Sequence, residues 1–290
     1  MQNRDLEKTA VDAAEHLIDL AFAEDLGEVG DITTRAIFTK ENTKMGAAIV
    51  IAKSAGVAAG LKIFSRVFAK IDSLVQIDCA VNDKEKLSPK QKAVHLRGPL
   101  VSILTGERVA LNFLQRLSGI ATLTRKFVDA VAGTNTKILD TRKTTPGWRI
   151  LEKYAVQCGG GLNHRLGLHD MFLIKENHIA AAGGIAPAVQ KCRVLNQQQG
   201  WNWNLEVEAR TLAEVEECLR HDVKHIMLDN MAMAEMREAV KLVAGRAKLE
   251  ASGNVSLENV AAIAETGVDY ISIGALTHSA PVMDFSLLIL

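Results

Sequence analysis

Apolar positions recur along this chain with two periods, and the change between them divides it. Val11, Ala14, Leu17, Ile18 and Ala21 lie on one helical stripe, which stops at the Gly-rich turn around Gly27–Gly30. Apolar runs at Ala47–Lys53, Leu74–Asp78 and Ala93–Arg97 read as strands, with a helical pattern at Leu61–Ala69. Residues 1–104 therefore predict a mixed α/β unit. From Gly106 to Ala132 the spacing is helical, and the small pair Ser118–Gly119 predicts an interruption.

A rhythm follows. Short β-type runs stand at Lys137–Leu139, Met171–Ile174, Leu205–Val207, His225–Leu228, Ala247–Leu249 and Tyr270–Ile273. Helical patterns separate them, among them Leu212–Leu219, Ala232–Val243 and Leu257–Glu265. The last four strands begin roughly twenty residues apart, the length of a minimal βα unit. Six alternating units predict a (β/α) barrel or a doubly wound sheet. The tail Asp284–Leu290 reads as one more strand, returning to the N-terminal half.

Composition narrows the class. Apolar residues make up 48% and charged residues 23%, an ordinary globular balance. Net charge is zero, which argues against a generic nucleic-acid binder. The zero hides an asymmetry: residues 137–178 hold 7 basic and 4 acidic side chains, whereas 179–290 hold 9 and 14. The basic stretch also carries His164, His169 and His178. That arrangement predicts an anionic ligand with a metal beside it. Cys79, Cys158, Cys192 and Cys218 show no C-x-x-C spacing, so reduced thiols are expected rather than a disulfide framework or structural zinc. No basic-then-apolar leader or membrane-length apolar run is present, and a cytoplasmic protein without membrane partners is expected.

The unusual residues fall at the ends of the strands. Asp140-Thr141-Arg142-Lys143-Thr144 follows the first, Lys175-Glu176-Asn177-His178 the second, and Glu208 closes the third. Asp229-Asn230, Ser252-Gly253-Asn254 and Gly274 follow the remaining three. Barrel enzymes build their active sites at these ends, so six of six predicts one shared site. Arg142, Lys143, Arg165 and Lys175, with His164, would crowd cations around one mouth. Any one of them alone reads as solvated surface charge, but the group is costly unless an anion of at least two charges fills it. Glu208 and Asp229 suit Mg²⁺, ribose hydroxyls or a plain salt-bridged pair, and by spacing alone Glu206 competes with Glu208 for the inward position. Ser252-Gly253-Asn254 and Gly274 resemble a late-strand phosphate cradle, against the plainer reading of simple turns. Gly159-Gly160-Gly161 carries no nucleotide-fold spacing, and Cys158 has no base in a recognisable pattern.

Several stretches together are similar to one family. They are Thr105–Asn112, Asp140-Thr-Arg-Lys-Thr-Thr-Pro-Gly147, Gly161-Leu-Asn-His-Arg165, Ile174-Lys-Glu-Asn-His178, Val207-Glu208, Leu228-Asp-Asn230 and Glu250-Ala-Ser-Gly253. The chain resembles the quinolinate phosphoribosyltransferases, or carboxylating nicotinate-nucleotide pyrophosphorylases, in order from Glu24-Asp25-Leu26-Gly27 to Asp284-Phe285-Ser286-Leu287. The resemblance implies an N-terminal open α/β sandwich over 1–115, with the tail 280–290 returning to it, and an incomplete (β/α) barrel over 116–279. It implies a homodimer in which Arg108 reaches the dicarboxylate in the neighbouring active site. Thr141, Arg142, Lys143, His164, Arg165 and Lys175 would then line the quinolinate and pyrophosphate pocket. Glu208 and Asp229, selected over Glu206, would hold Mg²⁺ and ribose, and Ser252, Gly253, Asn254 and Gly274 the 5′-phosphate. Asn254 stands where many relatives have a second Gly.

The implied reaction converts quinolinate and phosphoribosyl pyrophosphate into nicotinate mononucleotide, pyrophosphate and CO₂, a step of NAD biosynthesis. Lys143, Lys175, Glu208 and Asp229 would carry the catalysis. Three alternatives stand beside it. One is a sister enzyme on the same fold, like the relative associated with molybdenum transport. The second is a lyase using Lys175 as a Schiff-base nucleophile, and the third a phosphate-sensing binding protein.

Overall fold

The structure, a computed structural model, describes residues 5–38 and 44–290. It divides into two compact units. The first gathers residues up to Arg125, Thr144–Gly160 and Leu276–Leu290; the second holds Lys126–Lys143 and Gly161–Ala275. The boundary read from the sequence, 115/116, lies inside a helix.

The elements run α1 (Leu6–Leu26), α2 (Ile32–Ile37), β1 (Met45–Ala52), β2 (Gly56–Val57), α3 (Leu61–Ile71), β3 (Gln76–Cys79), β4 (Lys86–Leu87), β5 (Lys92–Pro99) and α4 (Leu100–Ala130). They continue β6 (Lys137–Leu139), α5 (Arg149–Cys158), β7 (Phe172–Ile174), α6 (Glu176–Ala182), α7 (Ile185–Gln198), β8 (Leu205–Ala209) and α8 (Leu212–Arg220). Last come β9 (His225–Asp229), α9 (Met233–Val243), β10 (Lys248–Ser252), α10 (Val260–Ala264), β11 (Tyr270–Ser272), α11 (Ala275–His278) and β12 (Phe285–Ile289).

In the first unit an antiparallel sheet runs β12-β1-β5-β3, with Phe285 of β12 opposite Ala52 of β1. Its core is apolar: the rings of Phe64 and Phe68 of α3 meet tilted, centroids 5.2 Å apart, with Ile18, Leu96, Ile103 and Leu114 fully buried around the unit. Three expectations are corrected here. Helix α4 runs unbroken through Ser118–Gly119, because Ser118 turns its hydroxyl to the Ala59 amide (3.1 Å) and Gly119 lies where a side chain would strike Pro281 O at 2.1 Å. The smallness of the pair serves close packing, not a helix break. The strand expected from Leu74 begins at Gln76, since Asp72 turns the chain by accepting from the Val75 amide. The helix expected over Leu257–Glu265 is shorter, Val260–Ala264.

The second unit carries a parallel six-stranded sheet, ordered β6-β11-β10-β9-β8-β7, with helices between successive strands. Among the described residues β6 and β7 are not bonded to each other, so the ring is open. One sheet face is Val207, Ala209, Ile226, Leu228, Leu249, Ala251 and Ile271, all buried. Period-two alternation sends the other residues to the opposite face, and register sorts them into layers. Glu206 pairs with His225; Glu208 pairs with Met227, Met227 with Glu250, and Glu250 with Tyr270; Asp229 pairs with Ser252, and Ser252 with Ser272. One face of a parallel sheet that is ordinarily apolar is therefore lined with titratable groups.

Candidate active site

Two buried acids, Asp140 and Glu206, hold His164. Asp140, at the end of β6, is fully buried; its carboxylate accepts the His164 amide at 2.9 Å and the Asn163 side-chain amide at 2.6 Å. Leu162 bridges in parallel to Leu139, so residues 161–165 run beside β6 as a short extra rung. His164 is buried, and both ring nitrogens are engaged. Nδ1 accepts from the Arg165 amide at 2.8 Å, and Nε2 lies 2.9 Å from Glu206 Oε2. Because Nδ1 accepts, the ring proton sits on Nε2 and is donated to Glu206.

Arg142 and Arg165 stand together at this end of the sheet. The Nε of each is buried without a hydrogen-bond partner, and Arg165 gives Nη1 to Met171 O at 3.2 Å. Burial, and then the neighbouring Arg142 cation, pull Arg165 below the usual guanidinium range. Two like charges in one place, each with an unused buried donor, repel each other in the absence of a counter-anion. Thr141 turns its hydroxyl to the Lys143 amide (3.0 Å), fixing the loop, and Lys143 is exposed. Lys175, half exposed at the end of β7, donates Nζ to Glu208 Oε2 at 3.1 Å.

Glu208 is buried beside Lys175, whereas Asp229 is partly open and accepts from Asn230 Nδ2 at 3.1 Å. Asn230 also accepts from Asn254 Nδ2 at 3.2 Å, which ties the end of β9 to the loop after β10. That link requires Gly253: a Cβ there would lie 2.1 Å from Asn230 Oδ1, and its φ is +102°. Asn254 sits at φ 50°, a left-handed conformation that Asn tolerates nearly as well as Gly, so its departure from a second glycine is accommodated. Ser252 and Gly274 are partly buried at neighbouring strand ends.

The structure thus sets Arg142, Lys143, His164, Arg165, Lys175, Glu208, Asp229, Ser252, Gly253, Asn254 and Gly274 in the second unit. Arg108 is exposed on α4 in the first. Sequence reasoning set Glu206 aside and did not assign Asp140, His225 or Glu250. Beneath the mouth, His164, Glu206 and Glu250 bring ligand-type atoms within 4.8 Å of one another, and His225 Nε2 lies 3.6 Å from both carboxylates. Burial raises the Glu206 carboxyl and, with Glu206 beside it, pushes Glu250 up to about 8; burial lowers His225. The signal available was the period itself: residues 206 and 208, two apart on a strand, share a face. Cys158 is buried in the first unit, and burial pushes its thiol up to about 12, the inert end of thiol behaviour.

Comparison with known proteins identifies the family. Residues 31–118 match the family model for the N-terminal domain of quinolinate phosphoribosyl transferase, and residues 120–288 the model for its C-terminal domain. The chain belongs to the quinolinate phosphoribosyltransferase family. A member from Nicotiana tabacum, quinolinate phosphoribosyltransferase (decarboxylating) 1b, is 43% identical over 286 residues, spanning 93% of this chain and 81% of that protein. The probable nicotinate-nucleotide pyrophosphorylase (carboxylating) of Bacillus subtilis is 44% identical, over 93% and 91%. Among solved structures, the nicotinate-nucleotide pyrophosphorylase of Francisella tularensis superposes with a TM-score of 0.92 at 40% identity, covering 97% of both chains. Human nicotinic acid phosphoribosyltransferase, at 12% identity and a TM-score of 0.60, shares the fold with this family member.

Proposed function

We propose that this protein transfers the phosphoribosyl group of phosphoribosyl pyrophosphate to quinolinate with loss of CO₂, forming nicotinate mononucleotide for NAD biosynthesis. Its relatives carry that activity in their names. The observation that carries the reading is the Arg142–Arg165 pair, whose buried, unused Nε donors and mutual repulsion call for an anion with two carboxylates. In this reading Thr141, Arg142, His164 and Arg165 line the quinolinate pocket, and Lys143 and Lys175 face the pyrophosphate. Ser252, Gly253, Asn254 and Gly274 hold the 5′-phosphate. Arg108 serves the active site of a second copy in a homodimer. The four free thiols fit a reducing cytoplasm.

The pyridine nitrogen attacks the anomeric carbon as the bond to pyrophosphate breaks, so no covalent protein nucleophile is needed. Glu208 and Asp229 face the positive charge that develops on the sugar, and Lys143 and Lys175 balance the negative charge of the leaving group. The two carboxylates suit Mg²⁺: they are hard oxygen donors at adjacent strand ends, with Asp229 open to solvent, and the bound ion supplies charge neutralisation at the leaving group. The C–C bond to the 2-carboxylate then breaks. The pyridinium stabilises the electron pair left on the ring carbon, which takes up a proton. Lys175, bonded to Glu208, acts as a cation and not as a Schiff-base nucleophile. The test is to incubate the protein with quinolinate, phosphoribosyl pyrophosphate and Mg²⁺ and follow nicotinate mononucleotide and CO₂ together. Product from quinolinate but not from nicotinate is expected, and silence from both bases defeats the reading.

A further inference from the structure

We propose that Glu206 is a positioning residue for the dicarboxylate pocket: it fixes the ring of His164 and, through that ring, aims the guanidinium of Arg165. The inference rests on reading that pocket as the quinolinate site.

The chain of contacts is short and buried. Glu206 lies on β8 with no exposed surface, and its Oε2 accepts the His164 Nε2–H at 2.9 Å. The opposite ring nitrogen accepts the Arg165 amide at 2.8 Å, so the ring's rotation and tautomer set where the Arg165 backbone lies. Asp140 takes the amide before it, that of His164, at 2.9 Å. Arg165 itself is tied at one guanidinium nitrogen, to Met171 O, and its buried Nε is unused. Its direction is therefore set by that single bond together with the place where its backbone is held. Glu250 cannot replace Glu206 as acceptor, since its nearer oxygen is 3.7 Å from His164 Nε2, beyond hydrogen-bond reach.

A buried carboxylate destabilises a sheet interior unless it does something a hydrocarbon side chain cannot. Glu206 has one oxygen on His164 and the other without a hydrogen bond, 3.6 Å from His225 Nε2, an arrangement that satisfies the histidine better than the acid. Neutral imidazole would otherwise place its proton on either nitrogen, and the wrong tautomer would meet the Arg165 amide with a second donor.

The test compares Glu206→Leu, which removes the acceptor, with Glu206→Gln, which keeps an acceptor of nearly the same shape. Binding of quinolinate and of phosphoribosyl pyrophosphate is measured separately by calorimetry. In ¹⁵N-histidine-labelled parent the His164 ring, assigned by its loss in His164→Gln, should carry its proton on Nε2. Glu206→Leu should weaken quinolinate binding by about tenfold to a hundredfold and disturb that ring signal, with phosphoribosyl pyrophosphate binding within about threefold of the parent. Glu206→Gln should restore both readouts to within about threefold of the parent. The inference is overturned by a Leu variant that binds quinolinate like the parent, by equal losses for both substrates, or by a parent His164 protonated on Nδ1. If the Leu variant does not fold, the parent's tautomer and the Gln variant decide, and a Gln variant that loses quinolinate more than tenfold counts against the proposal. A parent that binds no quinolinate sinks the reading of the pocket instead, while the ring tautomer still judges the positioning.

Discussion

Single residues here do work that their neighbours in sequence conceal. Arg165 presents a planar fork from a buried site, and lysine offers a point charge without that geometry. Arg165→Lys should raise the KM for quinolinate by about tenfold or more, with a smaller change for phosphoribosyl pyrophosphate, in steady-state assays that vary each substrate. Glu250 gives a pH signature. Its carboxyl, ordinarily near 4.5, is pushed up to about 8, first by burial and then by the Glu206 charge. The folded state therefore keeps a proton that the unfolded chain releases, so this group's contribution to stability declines as pH rises from about 4.5 to about 8 and is level above. Glu250→Gln removes that dependence. Calorimetry at pH 5 and pH 8 should show the parent losing more Tm than the variant across the interval; equal slopes would contradict the assignment. Arg142, Lys175, Glu208 and Asp229 were legible as candidates because all six strand ends carry polar or glycine residues together, and Arg165 because it joins the same group of cations. Glu206 was not, because spacing alone presented Glu206 and Glu208 as rivals although alternation turns both to the same side.

At the scale of elements, the strands were the most legible part. Short apolar runs bounded by turn residues placed β6 without error and β8 and β9 to within two residues at each end, while the run for β10 stopped three residues short of Ser252. Helices were less so where burial is not apolar. Helix α5 buries Glu152 and Lys153 along with Leu151 and Tyr154, and Glu152 is held by Arg116 at 2.7 Å and by the Thr145 hydroxyl at 2.8 Å. A stripe interrupted by charges hides from a reading based on hydrophobic period. Helix α4 shows the opposite failure, since a serine and a glycine read as a break when they mark close approach. Gly119→Ala would place a methyl group against Pro281 O and Val282 Cα, both backbone, and should destabilise the protein by about 1–3 kcal/mol in denaturant titrations. A variant as stable as the parent would show that this packing relaxes freely.

At the scale of the whole molecule, two units are assembled from interleaved segments, and the proposed homodimer makes its own prediction. Arg108 stands on α4 in the first unit, and Lys175 in the second. If Arg108 serves a second copy, Arg108→Ala and Lys175→Ala should each be inactive alone yet complement when co-expressed. Random pairing makes half the dimers mixed, each with one intact site, so about a quarter of the parental sites should return. No recovery in mixed dimers isolated with two affinity tags would exclude the shared site. Among the described residues no helix is long and apolar enough to cross a membrane. What the amino-acid sequence determined by itself was the alternation of strand and helix and the polar character of the strand ends, because both are set by residues a few positions apart. What only the tertiary structure decided was which of those residues meet. Asp140, His164, Glu206 and Glu250 come from four separate stretches, and it is strand register and the rung at Leu162 that bring them around one histidine. Local period fixes the face a side chain takes, whereas long-range pairing fixes its neighbours.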